Sequence, residues 1–222
     1  MFQLSEKNGY FFRAKLAVDV DGAPRAYHPK DLRPKRGNNT KALDWLDNVS
    51  SHDLHGIQGK DGVGPEPGFF VSATALSNPK FPPNDTRHWV NAEDVPYVVL
   101  VSNFPRLKDP KLNVRTGDCV IVIDLKTGRN SAAIFADVGS AVGEGSLKLA
   151  LNLGLNPTKS KMPPKVIGFD RVDFFHIVFP HKAVQPPWFL KDIEATAEAA
   201  FQAWGGWSQA RECFPTLPNR IA

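Results

Sequence analysis

Apolar and polar positions alternate over Phe11–Val20, where Ala14, Leu16, Val18 and Val20 fall on one side. A period of two predicts a strand with one covered face, and Asp21-Gly22 supplies the turn that ends it. Phe69–Thr74 predicts a second strand. Tyr97–Val101 is apolar almost throughout and predicts a strand covered on both faces. Val120–Leu125 and Ala132–Ala136 read as two arms of a hairpin around Lys126-Thr127-Gly128. Lys165–Phe169 and Phe174–Phe179 complete the β set.

Helical spacing is rarer. Thr40–Val49 predicts a short helix capped by Thr40, and Glu144–Leu153 a second. Trp188–Trp204 follows Pro186-Pro187, precedes Gly205-Gly206, and aligns Leu190, Ile193, Ala197, Phe201 and Trp204 on one stripe. Between His52 and Gly68 lie Gly56, Gly59, Gly62, Gly64, Pro65 and Pro67, which predicts a loop. Six to eight short strands with few helices predict a mainly β fold, a barrel-like core with helices outside it. Strict βαβ alternation is absent, which argues against a doubly wound parallel sheet.

The chain has 222 residues, 42% hydrophobic and 23% charged, enough apolar content for one buried core. We expect a single domain over 1–222. With 17 glycines and 19 prolines it is rich in turns, not in coiled coil or disorder. No apolar run approaches a membrane span of roughly 18 residues, and no secretory leader is visible. The net charge of +4 allows an anionic partner without requiring one. The dense basic stretch Arg33-Pro34-Lys35-Arg36 is short and Pro-broken, so no nucleic-acid or membrane partner is expected. Cys119 lies beside a buried-strand pattern and Cys213 far away in the tail. Neither has metal-type spacing.

The candidate chemistry sits in Ala133–Leu147. An apolar strand delivers Asp137, Gly139 and Gly143 permit a tight turn, and Glu144 opens the expected helix. The apolar run predicts a desolvated Asp137 that favours the protonated acid. A first helical turn predicts an anionic Glu144. Two carboxyl groups with opposed environments suit glycoside hydrolysis, with Asp137 as acid and Glu144 as base.

Phe135-Ala136-Asp137, Gly139 and Gly143-Glu144-Gly145-Ser146 before an apolar helix resemble the core signature of family 75 glycoside hydrolases, the fungal-type chitosanases. Ala17–Ala23, Ala42–Asp44, Gly56-Ile57, Pro67–Leu76, Trp89–Ala92 and Val95–Leu100 resemble the family in the same order. The resemblance covers about 17–153 and fades after Asn156, with strands and a helix of 160–222 expected to pack on that core. The loop between Asp137 and Glu144 is shorter than in the fungal members.

The resemblance implies inverting endo-hydrolysis of a β-1,4-linked glucosamine polymer with Asp137 and Glu144 as catalytic carboxylates. Gly143 and Ser146 of the signature are expected at the substrate. A polycationic substrate sits awkwardly with a basic chain, so Asp19, Asp21 and Asp44 are candidates for local acidity. Ser72 and Thr74, on one side of a strand, are candidates for sugar hydroxyls. A secreted monomer without metal or cofactor is the corresponding expectation.

Asp-Val-Gly after a strand is also similar to double-psi β-barrel glycan-cleaving enzymes, which makes peptidoglycan, with an antibacterial role, an alternative substrate. A carbohydrate-binding or interaction domain without catalysis is a further alternative. His52 and His55, at i, i+3, have no obvious third metal ligand. Gly59-Lys60 lacks the Ser or Thr of a phosphate loop. Trp89, Trp188, Trp204 and Trp207 are candidates for stacking on sugar rings, with Trp204 expected in the core.

Overall fold

The computed structural model describes residues 3–4, 9–27, 54–59, 64–102, 104, 113–161, 164–166, 168–215 and 217. The basic stretch at Arg33–Arg36, the Thr40–Val49 helix, Asp44, His52 and Lys60 lie outside the described residues. The strands in chain order are β1 (Gln3–Leu4), β2 (Tyr10–Asp19), β3 (Leu54–Ile57), β4 (Phe70–Ser72), β5 (Tyr97–Val101) and β6 (Asp118–Asp124). They continue with β7 (Asn130–Gly139), β8 (Glu144–Ser146), β9 (Thr158–Lys161), β10 (Pro164–Val166) and β11 (Phe169–Ala183). The helices are α1 (Leu147–Asn152), α2 (Leu190–Trp204) and α3 (Gly206–Cys213).

Six strands close on themselves in the order β2-β11-β6-β7-β5-β8 and back to β2, with β1 extending along β2. Closure leaves no barrel edge to pair with another chain. The β2–β8 and β5–β7 pairs are parallel and the other barrel pairs antiparallel. The fold is mainly β with peripheral helices.

Alternation sorts the side chains into two cores. One face of the staves carries Phe12, Ala14, Leu16, Val98, Leu100, Val122, Phe135 and Phe174, joined by Leu149 of α1 and Leu153 just after it. This cluster draws on strands all around the closed sheet, and it fills the barrel. The opposite face carries Tyr97, Val99, Ile121, Ile134, Phe175 and Ile177, and takes up Ile193, Ala197, Phe201 and Trp204 of α2. The expected helical stripe is therefore what seats α2 on β6, β7 and β11. Gly205, left-handed at φ 118°, ends it. No helix among the described residues is long and apolar enough to cross a membrane. Cys119 is buried, Cys213 half-buried, and both are free thiols.

Several elements differ from their sequence-based expectation. Glu144 does not open a helix. It starts β8, and the helix begins at Leu147 behind the Ser146 cap. The loop expected from His52 to Gly68 contains β3, paired with β4. The stretch from Phe169 to Phe179 belongs to one long strand, β11, whose pairing to β2 shifts register between Phe169 and Phe174. That strand is a stave between β2 and β6, not an element packed outside a core ending near Leu153.

Candidate active site

The parallel and antiparallel pairs around β5 bring the two candidate carboxylates into one row. Glu144 lies opposite Ala17 on one side and Val99 on the other, and Val99 lies opposite Asp137. Row partners share a face, and Val99 belongs to the outer one. Asp137 and Glu144 thus stand two strand spacings apart, about 9.6 Å between their Cα atoms.

A bulge in β7 produces this alignment. Pairing steps from Val98–Phe135 to Val99–Asp137, so Ala136 is an extra residue. Without it, alternation from Ala133 and Phe135 would aim Asp137 into the barrel. Gly139 lies further along the same face. A Cβ there would come within 3.3 Å of Glu144 Oε2 and 2.9 Å of Val99 Cγ1, so a side chain would crowd the Glu144 carboxylate.

Asp19 and Asp21 complete the group. Asp19, Asp21 and Asp137 are half-buried, and carboxylate oxygens of all three lie within 4.8 Å of one another. Fixed donors hold them. Ala75 N–H donates to Asp137 Oδ1 at 2.7 Å. Asp21 N–H donates to Asp19 Oδ1 at 2.9 Å. The Tyr27 hydroxyl donates to Asp21 Oδ1 at 2.6 Å. The buried Tyr97 hydroxyl donates to the Asp21 carbonyl at 3.1 Å and also meets the Asp19 carboxyl. Burial, then the neighbouring Asp137 charge, pushes the Asp19 carboxyl up to about 7.

Glu144 is also raised above the usual carboxylate range. Burial is the main cause, with Lys15 opposing it. The sequence predicted the reverse, because it placed Glu144 at a helix N-terminus. In β8 no helix dipole stabilises the anion, and the strand wall removes water from it.

The expected sugar contacts are structural. Ser72 is buried and its Oγ accepts the Gly22 N–H at 2.9 Å, which fixes the turn after Asp21. Buried Thr74 donates to Leu76 O at 2.8 Å and accepts from Val90 N–H at 3.1 Å. With Leu76 N–H bound to Ala136 O, this pins the loop that carries Ala75 to Asp137. Ser146 is fully buried. Its Oγ accepts the N–H groups of Tyr97 and Leu149 and donates to Val95 O. Gly143, at φ 98°, is buried and its carbonyl accepts Ala17 N–H at 2.7 Å, tying β8 to β2. All four brace segments that carry the carboxylates, and the Thr74 and Ser146 hydroxyls are engaged both as donor and as acceptor.

Gly22 also borders an open cleft of about 560 Å³, together with Trp89, Asn91, Asp85 and Asp94. The half-buried Trp89 indole stacks on His55 at 4.8 Å and meets His88 edge-on at 4.2 Å. Asp85 is paired to Arg87, whereas Asp94 accepts an amide hydrogen from Asn91 at 2.7 Å. Trp204 is in the core, as expected, and the half-buried Trp207 packs edge-on against Phe201. Tyr97 and Tyr27, which organise the acid group, were not expected from sequence. A tyrosine in an apolar strand looks like any core aromatic until the partner of its hydroxyl is known.

No protein-family model matches the chain, and no curated protein matches it.

Proposed function

We propose that the chain is an endo-acting glycoside hydrolase that cleaves β-1,4 bonds of an amino-sugar polymer of the chitosan type, with inversion. The observation that carries this reading is the row Glu144–Val99–Asp137, two carboxylates on one outer face separated by a single strand. Inverting hydrolysis needs carboxyl groups about 6.5–9.5 Å apart, with room for a water between them. The strand spacing is compatible with that gap.

The electrostatics favour Glu144 as acid and Asp137 as base, opposite to the assignment suggested by sequence. Burial raises Glu144 and so favours its acid form, while the Ala75 N–H suits an ionised Asp137. In the reaction Glu144 gives its proton to the leaving oxygen as the glycosidic C–O bond breaks. Water attacks the anomeric carbon and passes its proton to Asp137. The acidity of Asp21 and Asp137, with Asp94 at the cleft that Gly22 borders, suits a cationic sugar within a chain that is basic overall. Trp89 offers an aromatic face at the cleft. A polymer of this kind is met outside the cell, so the reading includes an extracellular site of action.

The test is product analysis on chitosan, chitin and peptidoglycan side by side, with Asp137→Ala and Glu144→Gln as controls. Release of oligosaccharides from chitosan, lost in both variants, is the expected result. Azide should restore turnover to Asp137→Ala and not to Glu144→Gln, since it replaces the water that a base activates. The net charge of +4 favours a second reading, cleavage of peptidoglycan. Exclusive cleavage of that glycan would establish it in place of the first. A folded protein that cleaves none of the three overturns both readings.

A further inference from the structure

We propose that the cleft beside Gly22 is a subsite for one glucosamine unit of the polymer, with Trp89 against the sugar ring and Asp94 on its free ammonium group. The inference deepens the hydrolase reading and rests on it for the class of ligand. It makes Asp94 the residue that selects deacetylated over N-acetylated units. The cleft encloses about 560 Å³, within the roughly 300–1,000 Å³ of small-molecule sites. An aromatic wall with a few placed polar groups is the lining such sites use.

Backbone contacts join the cleft to the carboxylate row. Ala75, whose N–H holds Asp137, lies two residues before Ser77, which bridges to Trp89. Thr74, on the other side of Ala75, accepts the Val90 N–H. The loop that fixes Asp137 therefore also fixes Trp89. Gly22 follows Asp21 directly, and a Cβ there would collide with the Val90 carbonyl, so the turn after Asp21 is pressed against the same segment. The stretch that carries Asp94 is anchored from the far side. Lys148 N–H donates to Ala92 O at 2.8 Å, and Ser146 Oγ donates to Val95 O at 2.8 Å.

The charged side chains that line the cleft divide into closed and open groups. Asp85 is buried and receives Arg87 Nη2 at 2.6 Å and Nε at 3.0 Å, so this pair is closed on itself. Asp94 is exposed. One of its carboxylate oxygens takes the Asn91 amide at 2.7 Å, and the other has no partner among the described residues. With Asp85 and Arg87 offsetting each other, Asp94 leaves the lining net negative. The Trp89 ring is held in one orientation by its Nε1–H on Pro83 O at 2.9 Å and by His55 stacked on it at 4.8 Å. A fixed indole takes the apolar C–H face of a pyranose. A carboxylate beside it accepts charge-assisted hydrogen bonds from an ammonium group. The acetamide of an N-acetylated unit is uncharged and offers Asp94 only one neutral N–H.

The test is calorimetric titration of the Glu144→Gln protein, which should bind without cleaving, with the glucosamine tetramer and with the N-acetylglucosamine tetramer. The glucosamine tetramer should bind more tightly. Adding Asp94→Asn, whose amide can still meet Asn91, should weaken that tetramer about fivefold at low salt and leave the acetylated one within about twofold. Adding Trp89→Ala should weaken both. An Asp94→Asn change that weakens neither tetramer, or both equally, overturns the proposal. So does failure of the glucosamine tetramer to bind at all.

The ends of the products released from partly acetylated chitosan supply a second readout. The wild type should leave glucosamine at one fixed position relative to the cut, and Asp94→Asn should admit N-acetylglucosamine there. Cleavage with that position unchanged in Asp94→Asn overturns the subsite and leaves the hydrolase reading standing. Asp94-dependent binding of the glucosamine tetramer in a protein that cleaves no glycan overturns the hydrolase reading and leaves the subsite standing.

Discussion

His176 brings an imidazole into the barrel interior, stacked on Phe12 at 4.8 Å and in register between Phe12 and Val122. It is 1% exposed, and neither ring nitrogen has a hydrogen-bond partner. Burial alone drives it down to about 3. The unfolded chain takes up a proton near 6.5 and the folded chain does not, so stability falls as pH drops below 6.5. From pH 7.5 to 5 this residue should remove about 2 kcal/mol. Urea denaturation at both pH values should show that excess loss in the wild type and not in His176→Phe. Equal losses would mean the imidazole is hydrated in the folded state. The residue itself was visible in sequence, inside Phe174–Phe179, but nothing there marked it as an inward position. The identities of Asp137 and Glu144 were legible. Their environments were not, because burial and donors come from β5, β8 and the Ala75 loop, remote in sequence.

Among the elements, β8 and α1 show most directly how local signals were overruled. Glu144-Gly145-Ser146 has the helix-capping serine the sequence needs, but the cap sits one turn later than expected. Two neighbouring strands, β2 and β5, claim the three residues before it for the barrel. A Cβ on Gly145 would lie 2.7 Å from Leu149 Cδ2 and 2.9 Å from Tyr97 O, so the crossing at this point requires glycine. Ser146 joins α1, β5 and the Val95 carbonyl through one hydroxyl. Ser146→Ala should therefore cost about 2–3 kcal/mol, combining a lost cap with buried groups left unmet. Chemical denaturation measures this directly. A loss below about 0.5 kcal/mol would mean that this hydroxyl is not what joins α1 to β5. The bulge at Ala136 had no sequence signal at all, because strict alternation accounts for Ala133 and Phe135 equally well.

On the scale of the whole molecule, a chain of net charge +4 gathers Asp19, Asp21, Asp137 and Glu144 around a few adjoining staves. Asp21 and Asp137 therefore bring negative charge together in a chain whose net charge is positive. If chitosan is the substrate, kcat/KM should fall about tenfold as salt rises from about 0.02 to about 0.5 M, through screening of that local attraction. Steady-state rates at several ionic strengths, with buffer pH held constant, provide the measurement. A rise with salt would mark repulsion between the cleft and a cationic polymer, and would favour the anionic glycan.

The sequence by itself determined the mainly β class, the position of most strands and the apolar stripe of α2, and it singled out Asp137 and Glu144 as the candidate pair. Each of these follows from local periodicity or from residue type, which neighbouring residues encode. Tertiary structure alone decided the closure of six strands, the recruitment of β11 as a stave and the conversion of Glu144 from helix start to strand. It also decided that Asp19 belongs beside Asp137. Strand pairing joins residues more than a hundred positions apart, and carboxylates that are separate in the chain acquire each other's charge only after the barrel has closed.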